Sequence, residues 1–145
     1  MLYCLSHNNV ELRNGKPYEL DFKLIGHYAT LDYALAAKKR YAEKKGFSSF
    51  PEGFCIDLVF PCDNDRKMDS CHVSIVYRIG YSSIDHARSL EFFIEGYYSS
   101  IETANSALNK LKKNPMFSKS SENLEICEVI VDRSYWIDGF DNYEW

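Results

Sequence analysis

The sequence predicts an α+β fold of two β-β-α-β repeats related by a pseudo-twofold, with mainly antiparallel sheet and both helices packed on one side. Three observations carry this. The stretch "LDFKLIGHYATLDYALAA" from Leu20 returns as "LEFFIEGYYSSIETANSA" from Leu90, at a gapless offset of seventy residues. Leu20, Phe22 and Leu24 alternate with polar residues, the period of a strand with one buried face. Ala34, Ala37 and Tyr41 recur at helical spacing, as do Ala104, Ala107, Leu108 and Leu111, so each copy also holds an amphipathic helix.

The first copy opens with "LYCLSH", an apolar strand joined by a polar turn region to the strand around Leu20–Leu24. That strand ends near Gly26–Tyr28. Thr30 is a good N-cap for the helix that follows, and Asp32 in its first turn suits the helix dipole. Small alanines on the buried stripe predict a helix of about four turns lying close against a sheet. Lys44 and Lys45 suit its C-terminal end, Gly46 stops it, and "FCIDLVF" is the closing strand. The second copy repeats the plan with "HVSIVYRI", the Leu90 strand, Ser100 as N-cap, Glu102 in the first turn, Asn114–Pro115 as the stop and "LEICEVIV" as closing strand.

Matches at Leu20/Leu90, Phe22/Phe92, Gly26/Gly96, Tyr28/Tyr98, Phe47/Phe117, Ile56/Ile126 and Val59/Val129 mark an internal duplication. One domain over 1–145 is expected: repeat 1 at 1–65, repeat 2 at 71–132, and a C-terminal tail at 133–145. One continuous sheet or two packed sheets both satisfy the pattern.

Composition narrows the class. The chain has 145 residues, 46% of them hydrophobic, and no run approaches the length of a membrane span. Its start lacks a basic segment followed by an apolar one, so no secretory signal is expected and the cytoplasm is the expected compartment. Cys4, Cys55, Cys62, Cys71 and Cys127 form an odd set without C-x-x-C spacing, expected to be reduced and structural. Residues 1–70 carry ten basic and ten acidic side chains, whereas 71–145 carry seven and eleven, so the net charge of −4 lies wholly in the second half. "KKRYAEKK" is the one basic cluster and reads as the solvated side of a helix. Neither nucleic acid nor membrane is an expected partner.

No catalytic signature is present: G-x-S-x-G, H-E-x-x-H, a P-loop and G-x-G-x-x-G are all missing. His7, His27, His72 and His86 are expected on the surface or in turns, and His27 is matched by Tyr97 in the other copy. Cys71–His72 is a poor metal pair because adjacent strand residues face opposite ways. The expectation is a protein that is not an enzyme and has neither metal nor cofactor.

The C-terminal "DRSYWIDGFDNYEW" has no counterpart within the repeat. It gathers Tyr135, Trp136, Phe140, Tyr143 and Trp145 with Asp132, Asp138, Asp141 and Glu144, against Arg133 alone. Aromatic anchors ringed by carboxylates suit a basic protein partner. These nine residues are the candidate partner-binding set. The plainer role for Trp136 and Phe140 is to pin the tail onto the sheet. A sheet face or the Ser48–Gly53 loop is the alternative docking place.

With these motifs in view, the chain resembles a family of small bacterial domains of unknown function. The likeness lies in G-x-Y-[ST]-[ST]-x-[DE]-x-A at Gly96–Ala104 and, with Ala29 at the first [ST] position, at Gly26–Ala34, "PEGF-x-I-D" at Pro51–Asp57, and W-x-x-G-F at Trp136–Phe140. The second copy replaces the Pro-Glu-Gly-Phe loop with Ser121–Leu124, and the first lacks the Trp ending. The resemblance implies a fold and no activity. The profile is also similar to that of bacterial toxin-immunity proteins: small, acidic, and free of catalytic motifs. It implies a cytoplasmic protein that binds a cognate toxin with a basic surface, for instance a nuclease effector of contact-dependent growth inhibition. The alternative is a small-ligand or regulatory sensor with a cleft between the repeats.

Overall fold

The computed structural model describes residues 1–13, 16–62, 74–84, 90–117, 123–136 and 139. Among these residues the fold is α+β, with two α-helices and two antiparallel sheets. It divides into two compact units, residues 1–59 with 131–145, and residues 60–130.

Unit 1 contains β1 (Leu2–Arg13), β2 (Lys16–Tyr28), α1 (Leu31–Ala42) and β3 (Phe54–Val59). Its sheet is completed by a two-residue strand from the C-terminal segment, Arg133–Ser134. Numbered in chain order, unit 2 holds β4 (Ile75–Ile84), β5 (Leu90–Tyr98), α2 (Ile101–Lys112) and β6 (Leu124–Ile130), so Arg133–Ser134 is β7. The strand orders are β3-β1-β2-β7 and β5-β4-β6. Within each repeat, the first strand is therefore central, between the second and the third.

The register repeats as well as the order. Tyr3 pairs with Tyr28 and Leu5 with Gly26; Tyr77 pairs with Tyr98 and Ile79 with Gly96. A register shift follows at once in both sheets, between Leu5/Ser6 and between Ile79/Gly80. The residue left over on the second strand is Ile25 in one sheet and Glu95 in the other, again at matching positions. Leu5 faces Ile56 across the third strand as Ile79 faces Ile126. The second strands, helices and third strands match at the offset of seventy, while the opening strands match at 74.

The helices start where the caps predict. Thr30 Oγ1 accepts the Tyr33 N–H at 3.2 Å, and Ser100 Oγ accepts the Thr103 N–H at 3.2 Å. Ala34, Ala37 and Tyr41 are the buried residues of α1, and Ala104 is the buried residue of α2. In unit 1 they join Leu5, Ile25, Tyr28 and Phe47 in one apolar cluster flanked by Tyr3, Phe54, Ile56 and Trp136. Alanine lets the helix backbone approach the sheet, and the aromatic rings fill the space at its end. Both helices are 12 residues long, shorter than four turns.

Three expectations are corrected. The polar region after "LYCLSH" is strand, for β1 runs to Arg13 and pairs with β2 down to Arg13↔Lys16. Only residues 14–15, Asn-Gly, separate the two strands, and this is the dipeptide that favours two-residue hairpins. His7 and His27 are not surface residues; both are fully buried on strands. Finally, the tail begins with a counterpart in the other repeat, described next. Cys4, Cys55, Cys62 and Cys127 are unpaired with one another; Cys4 is buried, whereas Cys55 and Cys62 are exposed. Cys71, His72 and His86 lie outside the described residues.

Candidate functional site

The site predicted from sequence is the C-terminal segment, and its first residues are built into the sheet of unit 1. Val131 is buried, and Asp132 then adopts φ 62°, a left-handed conformation that Asp tolerates better than most residues. This bend lets the chain turn onto the edge of β2. The Asp132 N–H donates to His27 O at 2.8 Å, and Asp132 Oδ1 accepts the Ala29 N–H at 2.9 Å. β7 then pairs antiparallel with β2, Arg133 opposite His27 and Ser134 opposite Gly26. The Tyr135 N–H donates to the carbonyl of Ile25, the extra residue of the bulge, at 2.8 Å. A β-bulge leaves one residue out of its own ladder, and here that residue's carbonyl serves the incoming segment.

Side chains finish the attachment. Tyr28 Oη and Ser134 Oγ share a hydrogen bond of 2.7 Å. Burial, the largest influence on the Tyr28 phenol, pushes its pKa up, partly offset by this bond. The Trp136 indole N–H donates to Leu24 O at 2.9 Å, while the Tyr41 hydroxyl donates to Trp136 O. The Trp136 ring meets Phe47 edge-on at a centroid distance of 6.5 Å. At Gly139 the backbone passes so near the first helix's end that a Cβ would stand 2.2 Å from Lys45 O. The spacing W-x-x-G is thereby explained: a ring to enter the core, then a residue without a side chain where two backbones meet.

Unit 2 repeats the start of this attachment. The Cys62 N–H donates to Tyr97 O at 2.7 Å. Cys62 and Tyr97 match Asp132 and His27 at the offset of seventy. The residue just beyond each third strand thus belongs to the unit built around the other repeat's second strand. The recurring Gly-x-Tyr follows from this. A Cβ at Gly26 would lie 2.6 Å from Arg133 O and 3.0 Å from Tyr28 Oη; one at Gly96 would lie 2.8 Å from Cys62 Sγ and 3.1 Å from Tyr98 Oη. Each glycine makes room for a segment and for its own tyrosine ring.

Of the nine predicted residues, three are described. Asp132 spends its carboxylate on Ala29, and Trp136 packs against the core. Tyr135 is 42% exposed, with its ring set edge-on to that of His27 at a centroid distance of 6.5 Å. Asp138, Phe140, Asp141, Tyr143, Glu144 and Trp145 lie outside the described residues. Among the described residues no group of three or more His, Cys, Asp or Glu could hold a metal ion. No helix there is long and apolar enough to cross a membrane. The Cys55 thiol has its pKa pushed up by local desolvation and by Asp57, whose carboxylate accepts its S–H at 3.4 Å, which disfavours the reactive thiolate. Compared with protein families, curated proteins and solved structures, the chain matches none.

Proposed function

We propose that this is a non-catalytic binding protein of the bacterial cytoplasm, an immunity protein that neutralises a cognate toxin by direct contact. The observation that carries the reading is the anchored tail. The segment from Asp132 to Trp136 is held on the β2 edge by main-chain and side-chain hydrogen bonds and leaves Tyr135 exposed. An aromatic presented from a fixed backbone binds without a large ordering cost. The acidic balance of residues 71–145 favours a basic partner, such as the phosphate-binding surface of a nuclease.

The test is to express the product of the neighbouring gene in a bacterial host, with and without this protein. Rescue of growth together with a purifiable complex is the expected result. A neighbouring product that is toxic, is not neutralised and does not bind would refute the reading.

A further inference from the structure

The two units differ at the place where Trp136 enters. In unit 1, Trp136 links α1 to the β2 edge through the Tyr41 hydroxyl and Leu24 O, with its ring against Phe47. The positions around this attachment are shut from solvent: Phe47 is 0% exposed, Tyr41 2% and Lys23, next to Leu24, 4%. At the offset of seventy their counterparts are Phe117, Leu111 and Phe93. None of these is buried: Phe117 and Leu111 are half-buried, and Phe93 is 40% exposed. Ile94, in the place of Leu24, is also 40% exposed.

The framework beneath is nevertheless the same. His7 meets Phe47 edge-on at 5.0 Å, and Tyr81, at the matching place on the opening strand, meets Phe117 edge-on at 5.9 Å. Tyr81 stacks at 4.9 Å on Phe93, its cross-strand partner, as His7 stands across from Lys23. What differs is the occupant. Arg66, Asp69 and Ser70 stand in sequence where the tail has Trp136, Gly139 and Phe140, and those three lie outside the described residues. β5 is the outer strand of its sheet. Among the described residues, Cys62 donates to Tyr97 O there, but none reaches Glu95 O or Ile94 O from outside the sheet. These two carbonyls match the ones that Tyr135 and Trp136 hold in unit 1. Unit 2 therefore keeps the seat for a tryptophan and presents it as an apolar face, which marks an interaction surface.

We propose that this face receives a tryptophan of the protein partner, carried on an extended segment that adds to the sheet at β5. The indole N–H donates to Ile94 O and the ring lies against Phe93 and Phe117, while the preceding residue's N–H takes Glu95 O. Phenylalanine would leave Ile94 O unmet, and the repeat already holds a tryptophan in this way at Leu24. The proposal deepens the reading above and rests on the partner being a protein toxin.

The experiment titrates the full-length protein with the peptide N-acetyl-Ser-Tyr-Trp-Ile-amide, the sequence of residues 134–137, and monitors backbone amides by NMR. The same peptide with 1-methyltryptophan, which keeps the ring and loses the indole N–H, is the control. Saturable shifts are expected at Phe93–Glu95, Leu111 and Phe117, with binding about tenfold weaker for the methylated peptide and for the Phe93→Ser and Leu111→Lys variants. Shifts confined to unit 1, or equal binding of both peptides, would overturn the proposal. Contacts from residues 63–73 to Phe93 and Phe117 in the free protein would show the chain filling its own face. A dimer dispersed by the peptide would show a second copy there, and either result would overturn the proposal. Both variants are then assayed against the toxin itself. Unchanged affinity for the toxin would overturn the proposed seat and leave the immunity reading intact. Peptide held on this face of a protein that neutralises no neighbouring toxin would do the reverse.

Discussion

Alanine at Gly26 and alanine at Gly96 should have unequal costs, although the two glycines occupy matching positions. At Gly26 the obstacle is Arg133 O, 2.6 Å from the new Cβ, and it is a backbone atom of β7. Relief requires β7 to move, which strains the bonds from Asp132 to His27, from Tyr135 to Ile25 and from Trp136 to Leu24. Overpacking costs about 1–3 kcal/mol and each of the three weakened hydrogen bonds adds up to about 1 kcal/mol, so the total lies between about 1 and about 6 kcal/mol, rising with the number of bonds that loosen. At Gly96 the nearest atom is Cys62 Sγ at 2.8 Å, the end of a side chain that can rotate away. Its cost should be about 1 kcal/mol or less.

Urea denaturation measures both costs, and amide exchange at Asp132 and Tyr135 reports whether β7 loosens in Gly26→Ala. Adding Cys62→Ala should restore Gly96→Ala to the stability of Cys62→Ala alone. Arg133→Ala should not rescue Gly26→Ala, because the carbonyl remains. Equal costs at the two glycines, or rescue through Arg133, would refute the claim that the segments meet these glycines as described.

Three further outcomes follow from the attachment and from the thiols. Trp136→Phe keeps a ring but leaves Leu24 O without its donor, and should cost about 1–3 kcal/mol in the same denaturation assay; Trp136→Ala should cost about 3 kcal/mol or more. The Tyr28 phenol has its pKa raised above the unfolded value of 10.0. Its contribution is therefore complete below pH 10 and is lost as pH rises through the folded pKa, a decline in stability that Tyr28→Phe should remove. Asp57→Asn should lower the Cys55 pKa and speed its alkylation at mildly alkaline pH, read by mass spectrometry against the slower wild type.

The repeat was legible in sequence because its signals are local. Alternation at Leu20–Leu24, the caps at Thr30 and Ser100, and the alanine stripes each depend on a few adjacent residues. The extension of β1 to Arg13 was missed because its polar residues resemble a loop, although Asn14–Gly15 marks the hairpin. The burial of His7 and His27 was also missed. A histidine is placed by the rings around it, and Phe47 and Phe54 come to His7 from forty and more residues away. The attachment of β7 to β2 was illegible for the same reason: its partners lie more than a hundred residues upstream. The offset of seventy nevertheless contained a trace of it, because Cys62 matches Asp132 just as Tyr97 matches His27.

The attachment changes how the tail must be interrogated. Composition groups Trp136 with Tyr135 as aromatic anchors, and of the two roles open to Trp136 the fold gives it that of pinning the tail. Trp136 holds Leu24 O through its indole and packs against the core beside Phe47, so its removal alters the structure whether or not a partner touches it. Asp132 carries a similar burden through Ala29. Tyr135 uses its backbone N–H to join β2 while its ring remains substantially exposed. Substitution of that ring leaves the main-chain bond in place, so weakened toxin binding by Tyr135→Ala would report on recognition, whereas the same result from Trp136→Ala would report first on the fold.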